Sequence, residues 1–256
     1  MNFVVPNWEG VPSHIKAIST TRQGGFSLGC YQGLNLGAHV GDDKNTVLKN
    51  RQYLVDVLNL PSSPTWLEQT HSINVIQLPL KGTVKNTDGV MTTETNIVCS
   101  VMTADCLPIL LANKSGQCIA AIHAGWRGLA DGILDRAISH FIDSCPSGHK
   151  IAASDIIAWV GPSISVEHFE VGQDVYEVFC LKNEDAKRAF RSTVKKNKWL
   201  ADLPLLAKQK LSTLGVQNVY LSEMCTYKHE QEFYSYRRNG TTGRQATLIW
   251  MENVEK

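Results

Sequence analysis

The sequence predicts an α/β (α+β) fold: a single layered domain with mixed β-sheets covered by helices. Three observations carry the prediction. Apolar runs of strand length alternate with segments whose apolar residues recur at helical spacing. No Pro/Gly/Ser-rich linker divides the 256 residues, so 1–256 reads as one domain with a substantial core. The most strand-rich block, residues 96–124, also holds the residues best suited to chemistry.

Taken in order, the β-branched run Ile18-Ser19-Thr20-Thr21 leads into a glycine-bearing loop over residues 22–29. Residues 45–58 read as an amphipathic helix, with Val47, Leu48, Leu54, Val57 and Leu58 at helical spacing and Pro61 beyond its end. Trp66 to Pro79 reads as strand, interrupted around Gln69-Thr70-His71. After the central block, a helix is expected from Leu129 to Ser144, where Leu129, Ile133, Ala137 and Phe141 form one of two adjacent apolar stripes. Ile156–Val160 is a short buried strand ended by Gly161-Pro162, followed by helices near Asp174–Phe179 and across Ala201–Leu214, the latter closed by Gly215. Val219–Leu221 is a last strand.

Composition narrows the function classes. Twenty-five basic residues stand against 24 acidic ones, which leaves no electrostatic footprint for nucleic acid or an anionic membrane. No apolar run has the length needed to span a bilayer, and residues 1–9 lack the basic and apolar regions of a secretory signal. The seven cysteines are an odd number without a CxxC pair, which favours a reducing compartment over a disulfide framework. A cytoplasmic protein is expected, with a monomer favoured.

Within the central block, Met102-Thr103-Ala104-Asp105-Cys106-Leu107-Pro108 precedes an apolar run, a polar turn over Asn113–Gln117, a second apolar run and His123-Ala124-Gly125-Trp126-Arg127-Gly128. This is the pattern of a β-hairpin. A turn centred near Ser115 places Cys106 nine residues before the centre and His123 eight after it, at the same open end. A thiol and an imidazole so placed make a metal site or a nucleophile–base pair. The plain structural alternative is a buried thiol beside a histidine with satisfied hydrogen bonds. Cys118, inside an apolar strand, reads as core. Asp105 is positioned to move a proton or to orient a ligand. Residues Gly125–Gly128 suggest a helix start that suits an anion, with Arg127 as a further donor.

Zinc in catalytic sites usually takes three protein ligands. Spacing does not choose among His39, His71 and His168 for the third. A second group of residues is basic and lies beside glycines: Arg22 with Gly24-Gly25, Asn35 in Gly33–Gly37, Arg51 on the first helix, and Tyr234–Arg238 before Gly240–Arg244. Each alone reads as a turn or a solvated face, but together they fit recognition of a phosphate or carboxylate.

Several motifs then occur in a recognisable order. They are Thr20-Thr21-Arg22-Gln23-Gly24-Gly25, Asn35-Leu36-Gly37, Val40-Gly41-Asp42, Asn50-Arg51, Gln69-Thr70-His71, Thr103–Pro108, His123–Gly128, Gly161-Pro162-Ser163-Ile164, Cys225-Thr226 and Phe233–Arg238. Over nearly its full length the chain resembles the bacterial YfiH-like family, known both as laccase-domain polyphenol oxidases and as zinc-dependent purine nucleoside phosphorylases. The resemblance implies zinc bound by His71, Cys106 and His123, and a layered fold similar to that of a toxin deamidase with a Cys–His active site. It also implies phosphorolysis of adenosine, inosine, guanosine and methylthioadenosine, with adenosine deamination besides. Asp105 would assist the chemistry, and Arg22, Asn35, Arg51, Arg127 and Arg237 would bind substrate or phosphate. Two alternatives accompany this reading. A copper polyphenol oxidase is disfavoured because the eight histidines include no His-X-His pair. A metal-free cysteine hydrolase or amidase, with Cys106 as nucleophile and His123 as base, would suit the peptidoglycan editing role given to some members.

Overall fold

The computed structural model describes residues 2–80, 84–146, 151–181 and 183–253. Its strands are β1 (Phe3–Val4), β2 (Ile15–Thr20), β3 (Val75–Leu78), β4 (Gly89–Thr92), β5 (Cys99–Thr103), β6 (Leu107–Asn113), β7 (Ile119–Ala124), β8 (Ile156–Val160), β9 (Glu170–Gly172), β10 (Phe190–Ser192), β11 (Lys198–Ala201), β12 (Asn218–Leu221) and β13 (Gln245–Met251). The α-helices are α1 (Lys44–Leu58), α2 (Trp126–Asp131), α3 (Ile133–Ser144), α4 (Gln173–Cys180), α5 (Leu203–Thr213) and α6 (Tyr236–Asn239). A six-stranded mixed sheet runs β12-β8-β6-β7-β4-β3, a four-stranded sheet runs β1-β2-β13-β5, and a small sheet runs β10-β11-β9.

Why β6 and β7 read as continuous apolar runs is explained by burial on both faces. Ile109 and Leu111 face a core shared with Leu134, Phe141 and Leu206 of the helices. Their neighbours Leu110 and Ala112 face the other way, onto Val101, Ile249 and Met251 of the four-stranded sheet. The far side of that second sheet packs Val98, Met102 and Leu248 against Leu54 of α1 and the loop residues Leu34 and Leu36. The layers are therefore helices, the large sheet, the smaller sheet and α1, which is the mixed α/β layering the sequence predicts. No described helix is long and apolar enough to cross a membrane.

The hairpin forms in the expected register, with Leu107 opposite Ala124 and Pro108 opposite His123. Two expectations need correction, and one strand went unread. Only Val75–Leu78 of the 66–79 stretch is strand; residues 66–74 are held instead by side chains, as described below. The helix expected over 129–144 is two helices, because Gly132 adopts φ 99° and breaks the chain between α2 and α3. Strand β13, unread in the sequence, lies between β2 and β5. Its pattern was masked by Gln245 and Thr247, which are fully buried because hydrogen bonds satisfy them; the Thr247 hydroxyl donates to Ser19 Oγ at 2.9 Å.

Candidate metal centre and its cavity

His71, Cys106 and His123 converge: one donor atom from each lies within 4.8 Å of the others. His123 comes from the end of β7, and its backbone N–H donates to the Asp88 carbonyl at 2.7 Å. Cys106 sits in the turn between β5 and β6, where Asp105 takes the left-handed φ of 97°. Two hydrogen bonds hold that conformation. Thr226 Oγ1 donates to Asp105 Oδ1 and the Arg237 backbone N–H donates to Oδ2, both at 2.7 Å. Both oxygens of this buried carboxylate therefore serve protein donors.

His71 lies outside regular structure at φ 62°, and two side chains fix its segment. Gln69 pairs with the Met102 backbone as a strand would, donating from Nε2 to the carbonyl at 2.7 Å and accepting the N–H at 2.8 Å. Asp88, wholly buried, gathers the turn: its carboxylate accepts the backbone N–H groups of Thr70, His71 and Ser72 and the Ser72 hydroxyl. The same carboxylate lies 2.7 Å from His123 Nδ1. That bond assigns the proton to Nδ1 and leaves Nε2 as the ligand nitrogen, the arrangement in which a carboxylate orients a metal-binding histidine. Sequence reasoning missed Asp88, since nothing in Thr87-Asp88-Gly89 marks it.

The electrostatics suit a deprotonated sulfur. Burial pushes the Cys106 thiol up, but hydrogen bonds to His123 and His71 and their charges prevail, bringing it down to about 6. Burial likewise works against a charged His123, and its bonds to Asp88 and Cys106 outweigh this and raise it. Two imidazoles and a thiolate form a borderline-soft donor set. Gly125 leaves the trio room, because a Cβ there would lie 2.5 Å from His71 Cδ2 and 3.2 Å from Cys106 Sγ. The residues present therefore fit a borderline-soft metal ion.

The trio lines a cavity of about 460 Å³. Its lining mixes Met102, Ile164, Phe169, Trp126 and Tyr236 with Arg127, Arg237, Arg244 and His39, and the Arg127 and Arg237 guanidinium groups lie over the Trp126 and Phe169 rings at 4.3 and 5.0 Å. Burial and the nearby charges of Arg244, Arg51 and His123 hold the His39 imidazole below its ordinary value. Of the residues predicted to bind substrate or phosphate, Arg127 and Arg237 line this cavity. The other three are elsewhere. Arg22 stacks on Tyr234 and lines a separate cleft of about 580 Å³ with Gly24, Gly25 and Glu230. Asn35 is fully buried, and the Arg51 guanidinium donates from Nε and Nη2 to the Leu36 carbonyl while packing over Trp66. Cys118 is core, as expected. His168 stacks on Tyr227 with ring centroids 4.3 Å apart and is not one of the trio.

A family model described as multi-copper polyphenol oxidoreductase laccase matches residues 16–252. The chain is 46% identical over 253 residues to a Haemophilus influenzae protein named purine nucleoside phosphorylase, covering 98% of this chain and 100% of that one. It is 43% identical over 250 residues to the Escherichia coli purine nucleoside phosphorylase YfiH, covering 97% and 98% respectively. A Neisseria meningitidis crystal structure superposes with a TM-score of 0.90 at 40% identity, covering 99% of this chain and 100% of the other. The Bacillus licheniformis hypothetical protein YfiH gives 0.85 at 27% identity, covering 93% of each chain.

Proposed function

This chain belongs to the YfiH family of laccase-domain proteins, and from that premise we propose that it is a zinc-dependent purine nucleoside phosphorylase. The observation that carries the reading is the His71–Cys106–His123 trio opening on a cavity lined by both aromatic rings and arginines. Adenosine, inosine, guanosine and methylthioadenosine are the proposed nucleosides, with deamination of adenosine as a second activity in the same cavity.

Phosphorolysis breaks the bond between ribose C1′ and the purine nitrogen, whose electron pair leaves with the base. A phosphate oxygen bonds to C1′, and the base gains a proton. Phe169, Trp126 and Tyr236 offer flat apolar surface for the base. Arg127 and Arg237 offer donors to the phosphate, whose negative charge opposes the positive charge developing at C1′. Asp105 acts as a positioning residue, since it holds the Arg237 backbone. Deamination exchanges the C6 amino group of adenine for an oxygen from water and releases ammonia. His71, Cys106 and His123 would hold the zinc, which when bound supplies a Lewis acid. Asp88 keeps two of these ligands in place.

The family description points also to copper, and metal analysis of protein purified without added metal separates the two: one zinc per chain is expected, whereas stoichiometric copper favours an oxidase. Replacing Cys106→Ala should remove the bound zinc and take inosine phosphorolysis and adenosine deamination to background. A zinc-free Cys106→Ala protein with full activity would overturn the assignment.

A further inference from the structure

Asn35 and Arg51 do not line the cavity; both act on a residue that does. Asn35 Oδ1 accepts the backbone N–H of Arg244 at 2.9 Å and that of Gly37 at 3.0 Å. The Leu36 N–H donates to the Arg244 carbonyl at 3.1 Å, so both backbone polar groups of Arg244 are clamped by residues 35 and 36. Helix α1 grips the same loop: Asn50 Nδ2 donates to the Asn35 carbonyl at 2.8 Å, and Arg51 holds the Leu36 carbonyl. Gly37 gives the Arg244 stem its space, because a Cβ there would lie 2.8 Å from Arg244 Cγ.

The Arg244 side chain is fixed as firmly. Its Nη1 donates to the carbonyls of Thr242 and Gly243, at 3.1 and 2.9 Å. Its Nε and Nη2 donate to no protein acceptor among the described residues, and the side chain lines the cavity beside His39. Neither Arg127, Arg237 nor Arg244 forms an ion pair with a carboxylate among the described residues. The one carboxylate in the lining, Asp105, is occupied by Thr226 and Arg237. A second feature lies in the same wall: the buried Thr103 hydroxyl has no hydrogen-bond partner among the described residues. Thr103 pairs across the sheet with Gln245, the residue after Arg244. A held guanidinium fork with unpaired N–H groups, in a cavity whose lining also includes Thr103, suits an oxyanion.

We infer that Arg244 anchors the phosphate co-substrate at the cationic end of this cavity, and that Asn35 and Arg51 are positioning residues that hold it there. This deepens the phosphorylase reading and rests on it. The test uses zinc-loaded full-length protein carrying Arg244→Gln or Arg244→Lys. Arg244→Gln is expected to raise the KM for inorganic phosphate on the order of 10- to 100-fold. The inosine KM should stay within about threefold and the zinc content unchanged, since uniform loss of one ligand's binding moves that ligand's KM. Arg244→Lys, which keeps the charge but not the fork, should fall between, and it decides the matter if the glutamine variant does not fold. An unchanged phosphate KM in both variants, or inosine and phosphate KM values rising together, overturns the inference while leaving a phosphorylase. If the wild type shows no phosphate-dependent turnover, the phosphorylase reading itself has failed. The anion site is then read by calorimetric titration of inorganic phosphate: binding lost in Arg244→Gln supports it, and no wild-type binding, or equal binding in both, overturns it.

Discussion

His123 is carried by a strand in the middle of a six-stranded sheet, whereas Arg244 stands just before a strand of the other sheet and is held by a buried loop. The first wall gets its geometry from ladder register and one buried carboxylate, Asp88, which touches the His71 backbone, the Ser72 turn and the His123 ring together. The second relies on backbone amides and carbonyls paired with Asn35, Asn50 and Arg51. A metal needs its donors fixed within tenths of an ångström, which a strand end at His123 and the amides gathered by Asp88 around His71 supply together. An anion is caught by a fork of N–H groups, and a loop locked from beneath is enough to aim one.

That contrast can be tested with matched glycine substitutions. The largest effect should come from Gly125→Ala, whose methyl would enter the space of His71 and Cys106; zinc content should drop below stoichiometry and both activities fall with it. Retained stoichiometric zinc would break the distinction between the walls. Next, Asp88→Asn should weaken zinc binding by about 10- to 100-fold, read by competition with a chelator, because it disturbs the ring orientation while sparing the ligands. Gly37→Ala should act only on the other wall, displacing the Arg244 stem: the phosphate KM rises and zinc affinity holds. Zinc loss in this variant would mean the two walls are mechanically one. Smallest is Arg22→Gln in the separate cleft, for which stability should change by no more than about 0.5 kcal/mol in denaturant unfolding and phosphate KM should not move.

The two walls also differed in how legible they were. Hairpin, register and the convergence of Cys106 with His123 could be read directly, because two continuous apolar runs around a polar turn leave few other arrangements. His71 could not be chosen that way. Its position depends on Gln69 imitating a strand edge and on Asp88 capping three amides, and side-chain pairings of that kind leave no periodic trace. Asn35 and Arg51 were expected to bind substrate or phosphate, and neither lines the cavity. An arginine beside glycine looks the same in sequence whether its guanidinium meets a ligand or the Leu36 carbonyl. Arg244 was noticed only as the end of the Gly240–Arg244 loop, because the residue that clamps it lies 209 positions away.

That separation has a consequence for how the protein comes into being. Strand β13 pairs with β2 across Trp250 and Lys16, and with β5 across Gln245 and Thr103. The trio's hairpin is local and can close early in folding, whereas the pairing that seats Arg244 joins residues from opposite ends of the chain and carries the larger loop-closure cost. The turn that carries Cys106 also waits on late segments, because Thr226 and the Arg237 amide hold the Asp105 carboxylate beside it. A C-terminally shortened chain would therefore lack both Arg244 and the bonds that seat the Cys106 turn.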